Sequence, residues 1–135
     1  MRLSSLRLTA ALVVRDAAGM AKVRIYHNPR CTKSRETLAL LREHGVEPEI
    51  VEYLKDPPTA EEVEQLIAKL GIEPHGLLRT KEEPYARLKL GPKSTREQIA
   101  KAIAREPVLL ERPIVVAGKR AAIGRPPENV LKILS

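Results

Sequence analysis

The stretch KVRIYHNPRCTKSRETLALLREHG, residues 22–45, changes its period halfway along. Lys22 to His27 reads as a strand, with Val23 and Ile25 alternating against Lys22 and Arg24. Asn28-Pro29 breaks it, because proline has no amide to donate and marks a turn. From Cys31 to about His44 the spacing predicts a helix, with Leu38, Leu41 and nearby Leu40 as its inward stripe and Gly45 as its stop. A strand thus feeds a helix through a short turn, and a cysteine stands at the junction.

Outward from that unit, Glu49 to Leu54 reads as a second strand, ended by Pro57-Pro58. Thr59-Ala60-Glu61-Glu62 has the form of a capping box, in which Thr59 and Glu62 satisfy free amides reciprocally. Val63, Leu66, Ile67 and Leu70 follow on one helical face, and Gly71 closes the helix. Pro74, Pro84 and Pro92 break residues 72–107 into short helical pieces, an insert within one domain. Ser94 to Glu97 reads as a second capping box, leading into a helix that carries Ile99 and Ile103. Ile114 to Ala117 is a strand, Gly118-Lys119 a tight turn, and Arg120 to Ile123 the hairpin partner. The run from Pro126 to Leu134 closes as a helix with Val130, Leu131 and Leu134 inward. The first two strands are expected to be parallel through a crossover and the last two antiparallel. That gives an α/β chain with a mixed four-stranded sheet, flanking helices and a helical insert, a pattern that fits a thioredoxin-like fold.

The chain has 135 residues, enough for one domain with a single core. It holds no Phe or Trp and three Tyr, so Leu, Ile, Val and Ala must build that core. The shortage of aromatic rings argues against single-stranded nucleic acid held by stacking, and no helix-turn-helix pattern is present. The net charge of +7 suits an anionic substrate or an acidic partner, and equally a solvated basic surface. One cysteine excludes an intrachain disulfide, and with three histidines it is a poor basis for a metal site. A cytoplasmic, reducing compartment is expected. No apolar run approaches the roughly 20 residues that span a bilayer, so no membrane role is expected. Residues 1–20 stand apart: Arg2 and Arg7 precede the apolar Leu8 to Val14, and Met20 lies just before the first strand. That pattern weakly resembles a targeting segment, but the apolar run is short, and the residues read rather as an upstream start or a flexible extension, with the domain proper at residues 21–135.

At the strand–helix junction, unpaired amides and the helix dipole favour negative charge, so Cys31 sits where a thiolate is stabilised. Arg30 and Lys33 flank it, and His27 lies one short turn before it. Cys31-Thr32-Lys33-Ser34 has the spacing of a redox pair, with Ser34 in place of the second thiol. A lone thiol can form an adduct but cannot resolve it internally, so the resolving thiol must come from outside. Ser34 could donate a hydrogen bond to the thiolate. A phosphatase-type loop requires an arginine six residues after the cysteine, where this chain has Thr37. No phosphate-binding Gly-rich lysine loop is present.

Tyr26-His27-Asn28-Pro29-Arg30-Cys31, Leu77-Leu78-Arg79, Glu111-Arg112-Pro113-Ile114-Val115-Val116 and Gly124-Arg125-Pro126-Pro127 occur in that order. With these four motifs the chain, from about Lys22 to Leu134, resembles the glutaredoxin-dependent arsenate reductase family, ArsC-like and of thioredoxin fold. The resemblance implies that Cys31 attacks arsenate and that Arg79, Arg112 and Arg125 bind it. Planar, always-charged, bidentate donors suit such an oxyanion. It further implies that His27 tunes the thiol, that Ser34 partners the thiolate, and that Pro113 is the cis proline of the fold. The resemblance implies glutathione as cosubstrate and glutaredoxin as partner, with no bound cofactor and no metal. The surroundings of Cys31 and the Gly-Arg-Pro-Pro form look closer to the chromosomal branch of the family than to its dedicated resistance enzymes.

Two other readings compete. An Spx-like regulator would share the fold and bind RNA polymerase, but such proteins usually carry a second cysteine where Ser34 stands and lack the His-Asn-Pro lead-in. A generic glutathione-linked thiol protein would need the same reactive Cys31 and cationic pocket.

Overall fold

A computed structural model describes residues 22–134. The N-terminal extension, residues 1–20, lies outside the described residues. The chain forms two compact units, one of residues 22–51 and 112–134 and the other of residues 52–111.

In the first unit, strand β1 (Val23–His27) leads into helix α1 (Thr32–Glu43) and then strand β2 (Glu49–Glu52). Strands β3 (Ile114–Ala117) and β4 (Arg120–Ile123) form a hairpin, and a 3-10 helix (Pro127–Ile133) follows. The sheet order is β2-β1-β3-β4, with β3 antiparallel to both β1 and β4. This is the mixed four-stranded sheet with flanking helices expected from the order of elements. Gly118 takes φ 64°, a left-handed conformation that glycine adopts freely, and so allows the two-residue turn between Ala117 and Arg120.

Register explains the core of this unit. Val23 pairs with Ala117, Ile25 with Val115, and Val115 with Ala122, so these side chains share one face of the sheet. They pack with Leu41 and Val46 after the first strand, and with Val130 and Ile133 from the 3-10 helix. Each fully buried aliphatic side chain of this kind contributes roughly 1.5–3 kcal/mol.

Two details differ from the sequence expectation here. The buried face of α1 is Ser34, Thr37 and Leu41, whereas Leu38 and Leu40 are only half-buried. Two hydroxyls can occupy an apolar face because both are hydrogen-bonded; Thr37 Oγ1 donates to the Lys33 carbonyl at 2.8 Å. The C-terminal helix is 3-10 rather than α, so inward positions recur every three residues, at Val130 and Ile133, and Leu131 and Leu134 are half-buried.

The second unit holds α2 (Ala60–Leu70), a 3-10 turn (Pro74–Leu77), α3 (Glu83–Arg87), α4 (Arg96–Arg105) and another 3-10 turn (Pro107–Leu109). Pro74, Pro84 and Pro107 each stand in the first turn of a helix, where a missing amide costs nothing. Helix α2 packs Val63, Leu66 and Ile67 inward, and α4 packs Ile99, Ala102 and Ile103. The capping box at Thr59 is complete: Thr59 Oγ1 accepts from the Glu62 amide, and Glu62 accepts from the Thr59 amide. The box of α4 is shifted by one residue from Ser94/Glu97 to Thr95/Gln98. Both phases of Ser94-Thr95-Arg96-Glu97-Gln98 satisfy the pattern; the tie is broken because Ser94 Oγ already accepts from the Gly91 amide at 2.9 Å. The second strand also ends early, at Glu52 rather than Leu54, since the Lys55 and Asp56 amides both bond the Glu52 carbonyl in a turn.

Candidate active site

Cys31 is the N-cap residue of α1, with extended backbone angles, and its side chain makes no capping hydrogen bond. Its amide donates to the Asn28 carbonyl at 2.9 Å, closing the turn at Pro29, and its carbonyl accepts from Arg35 at 3.0 Å to start the helix. The Asn28 side chain holds the same turn by accepting from the Arg30 amide at 3.0 Å. No acidic residue stands in the first turn of α1, so the positive end of the helix faces the sulfur without a competing carboxylate. Sγ belongs to a side chain only 8% exposed.

Beneath it lies a buried polar pair. Ser34 Oγ is 2.6 Å from His27 Nδ1 and accepts from the Asn28 amide at 3.0 Å. Both residues are buried, and the serine ties the end of β1 to the first turn of α1. Arg30 is exposed, and Lys33 pairs with Glu36 at 3.6 Å.

Across the sheet, the chain beyond the β3–β4 hairpin continues the ladder: the Gly124 amide donates to the Pro113 carbonyl at 2.9 Å. The Arg112–Pro113 and Arg125–Pro126 bonds are both cis. Gly124 lies against α1 so closely that a Cβ there would sit 2.5 Å from Thr37 Oγ1 and 2.9 Å from Pro113 Cγ. Only glycine permits that approach, and its neighbour Arg125 thereby reaches the cysteine. Arg125 Nη2 is 3.9 Å from Cys31 Sγ, and Nε donates to the Arg112 carbonyl at 2.8 Å. Asn129 steadies this loop by donating to the Arg125 carbonyl at 2.9 Å. One unit therefore gathers Cys31, His27, Ser34, Arg112, Pro113 and Arg125 through a continuous chain of contacts.

Arg79 belongs to the second unit. Its guanidinium meets Glu82 at 3.2 Å and Glu111 at 3.4 Å, and its amide donates to the Leu109 carbonyl. Among the described residues, no group of three or more His, Cys, Asp or Glu is placed to hold a metal ion. No described helix is long and apolar enough to cross a membrane.

Sequence inspection passed over three contributors. Asn28 was legible as a turn residue but not as a partner of Ser34 and Arg30. Gly124 was legible as part of the Gly-Arg-Pro-Pro motif, but its contact with Thr37 was not, because it joins residues far apart in the chain.

A cysteine at a carboxylate-free helix start, with a guanidinium beside its sulfur, is arranged to hold an anion next to a thiol. The profile of the ArsC family matches residues 26–133, which contain every one of these side chains. The chain belongs to the ArsC family. Among its relatives, the uncharacterized protein YfgD of Escherichia coli (strain K12) is 51% identical over 115 residues, covering 84% of this chain and 97% of YfgD. The arsenate reductase of Neisseria meningitidis serogroup B is 44% identical over 117 residues, 85% of this chain and all of that one. A solved structure of an arsenate reductase from Vibrio cholerae shares 46% identity at a TM-score of 0.80, covering 84% of this chain and 98% of that one. This ArsC-family chain thus matches these three relatives over nearly their whole length.

Proposed function

We propose that this ArsC-family protein is an arsenate reductase that uses Cys31 as its nucleophile, with glutathione and glutaredoxin as the outside thiols. The observation that carries the reading is Arg125 Nη2 at 3.9 Å from the sulfur of the residue that begins a carboxylate-free helix start. Relatives named arsenate reductase, 44% identical across their length, support the choice of substrate.

In the first step the Cys31 thiolate attacks arsenic, a S–As bond forms, and one arsenate oxygen leaves as water after taking up protons. Arsenic is still pentavalent. Arg125 balances the oxyanion's charge as it gathers at the sulfur, and Arg112, whose carbonyl accepts from Arg125, is assigned the same role. Glutathione thiolate then attacks Sγ; the S–As electron pair passes to arsenic, which departs as arsenite, and a Cys31–glutathione disulfide remains. A glutaredoxin thiolate attacks the glutathione sulfur and returns Cys31 to the reduced form. The lone thiol requires this outside resolution, because Ser34 occupies the place of a second cysteine. His27 and Ser34 act by holding the start of α1 against β1.

The test is arsenite formation by the purified chain with arsenate, glutathione and glutaredoxin. Arsenate should also slow alkylation of Cys31 by iodoacetamide. Turnover that persists in Cys31→Ser, or alkylation indifferent to arsenate, refutes the proposal.

A further inference from the structure

Within the unit of residues 52–111 lies a pocket of about 270 Å³ that the proposed reaction does not use. One wall is a single face of α4, on which Gln98, Lys101, Ala102 and Arg105 recur at helical spacing. The facing wall is the segment that leaves α3, Leu88 to Leu90. Ser94, held in its turn by the Gly91 amide, closes the rim.

Three cations line this pocket and no carboxylate does. Lys101 has a partner, Glu97 at 3.5 Å, but both ends are about two-thirds exposed or more, so the pair is weak. Lys89 and Arg105 form no ion pair among the described residues. Half-buried Leu88 and Leu90, with buried Ala102, supply an apolar lining for a few carbons.

Lys89 itself is out of place as a purely structural residue. It has φ 58°, the left-handed conformation, and among the described residues no other non-glycine takes a positive φ. The position is the cap that ends α3: Lys89 donates to the Ala86 carbonyl and Leu90 to the Tyr85 carbonyl, both at 3.0 Å. Glycine fills such a cap without strain, and a branched-off side chain is the disfavoured choice. A lysine there puts a cation on the rim of a pocket that already holds two more.

From these positions we propose that the pocket binds a compact organic dianion, a phosphate monoester or a dicarboxylate with a short aliphatic body. Its volume lies just below the range of about 300–1,000 Å³ that drug-sized ligands occupy, which limits the occupant to few carbons. The exposed Lys101 and Arg105, one turn apart on α4, are the partners for one charged end, and Lys89, on the facing wall, for the other.

The experiment is an NMR titration of the full chain with glycerol 3-phosphate and, separately, succinate, against sodium chloride at matched ionic strength. Saturable shifts are expected at the amides of Lys89, Leu90, Ser94 and Arg105, with dissociation constants near or below about 1 mM, the affinity of a small specific site. Saturation by either probe supports the site, and the tighter one names the headgroup. Arg105→Gln should raise the dissociation constant about tenfold, as expected for one charged partner. Lys89→Gly should weaken binding by a similar factor and yet raise Tm by about 2 °C, because glycine relieves the left-handed strain. Opposite signs in one variant separate a ligand role from a structural one. Shifts that sodium chloride reproduces, shifts confined to residues around Cys31, or unchanged binding in both variants overturns the proposal.

Discussion

Three helices of this protein begin in two different ways. Helices α2 and α4 start with complete capping boxes and with acidic residues in their first turns, Glu61 and Glu62 in one and Glu97 in the other. Helix α1 has neither: its N-cap is Cys31, which forms no side-chain cap bond, and no acid follows in its first turn. The first arrangement satisfies free amides and favours helix formation; each cap is worth about 1 kcal/mol. The second leaves the positive helix end available to a sulfur and to whatever anion approaches it. A helix start that forgoes its own stabilisation is a stronger pointer to the site than any single motif.

Substitutions can break or sharpen that contrast. The largest effect is expected for Cys31→Ser: arsenate reduction should fall by at least about 10³-fold, as for loss of a nucleophile. The same variant should keep or raise Tm, because serine is a good N-cap, and a large loss of Tm would mean that the cysteine is there for packing. Next, Arg125→Ala should lower kcat/KM by about 10²-fold, the usual cost of removing an oxyanion donor, with thermal melting little changed. Arg125→Lys should recover only part of it, since lysine lacks the bidentate fork. Gly124→Ala forces a Cβ into Thr37 and should cost roughly 1–3 kcal/mol by denaturant unfolding. Adding Thr37→Ala should restore part of that loss; a double variant as unstable as the sum of the singles would place the clash elsewhere. Smallest are Thr59→Ala and Thr95→Ala, at about 1 kcal/mol each, with turnover unchanged at a temperature where the protein stays folded.

Much of the architecture was legible locally. The switch from a two-residue to a helical period around Asn28-Pro29 marks β1 and α1, and the Gly118-Lys119 dipeptide marks the hairpin. Those signals come from neighbours in the chain, where backbone chemistry acts directly. The one-residue slip at Ser94/Thr95 shows the limit, because two overlapping patterns differ only in a bond from Gly91. The inward face of α1 was misread for a related reason: hydropathy favours leucines, but Ser34 and Thr37 become burial-compatible once His27, Asn28 and the Lys33 carbonyl supply their hydrogen bonds. At the site, the placement of Cys31 at a helix start follows from sequence. The meeting of Cys31 with Arg125 does not, since it depends on a bare backbone at Gly124 touching a hydroxyl on a distant helix. Nor does sequence disclose that Arg79 is engaged by two carboxylates.

That bare contact also sets how near the backbone before Arg125 comes to the helix that carries the sulfur. The limit is steric, because a Cβ at Gly124 would sit 2.5 Å from Thr37 Oγ1. Dissolved salt can weaken the attraction between opposite charges, but it cannot widen a backbone contact. The backbone spacing of the site therefore outlasts conditions under which its electrostatics fade.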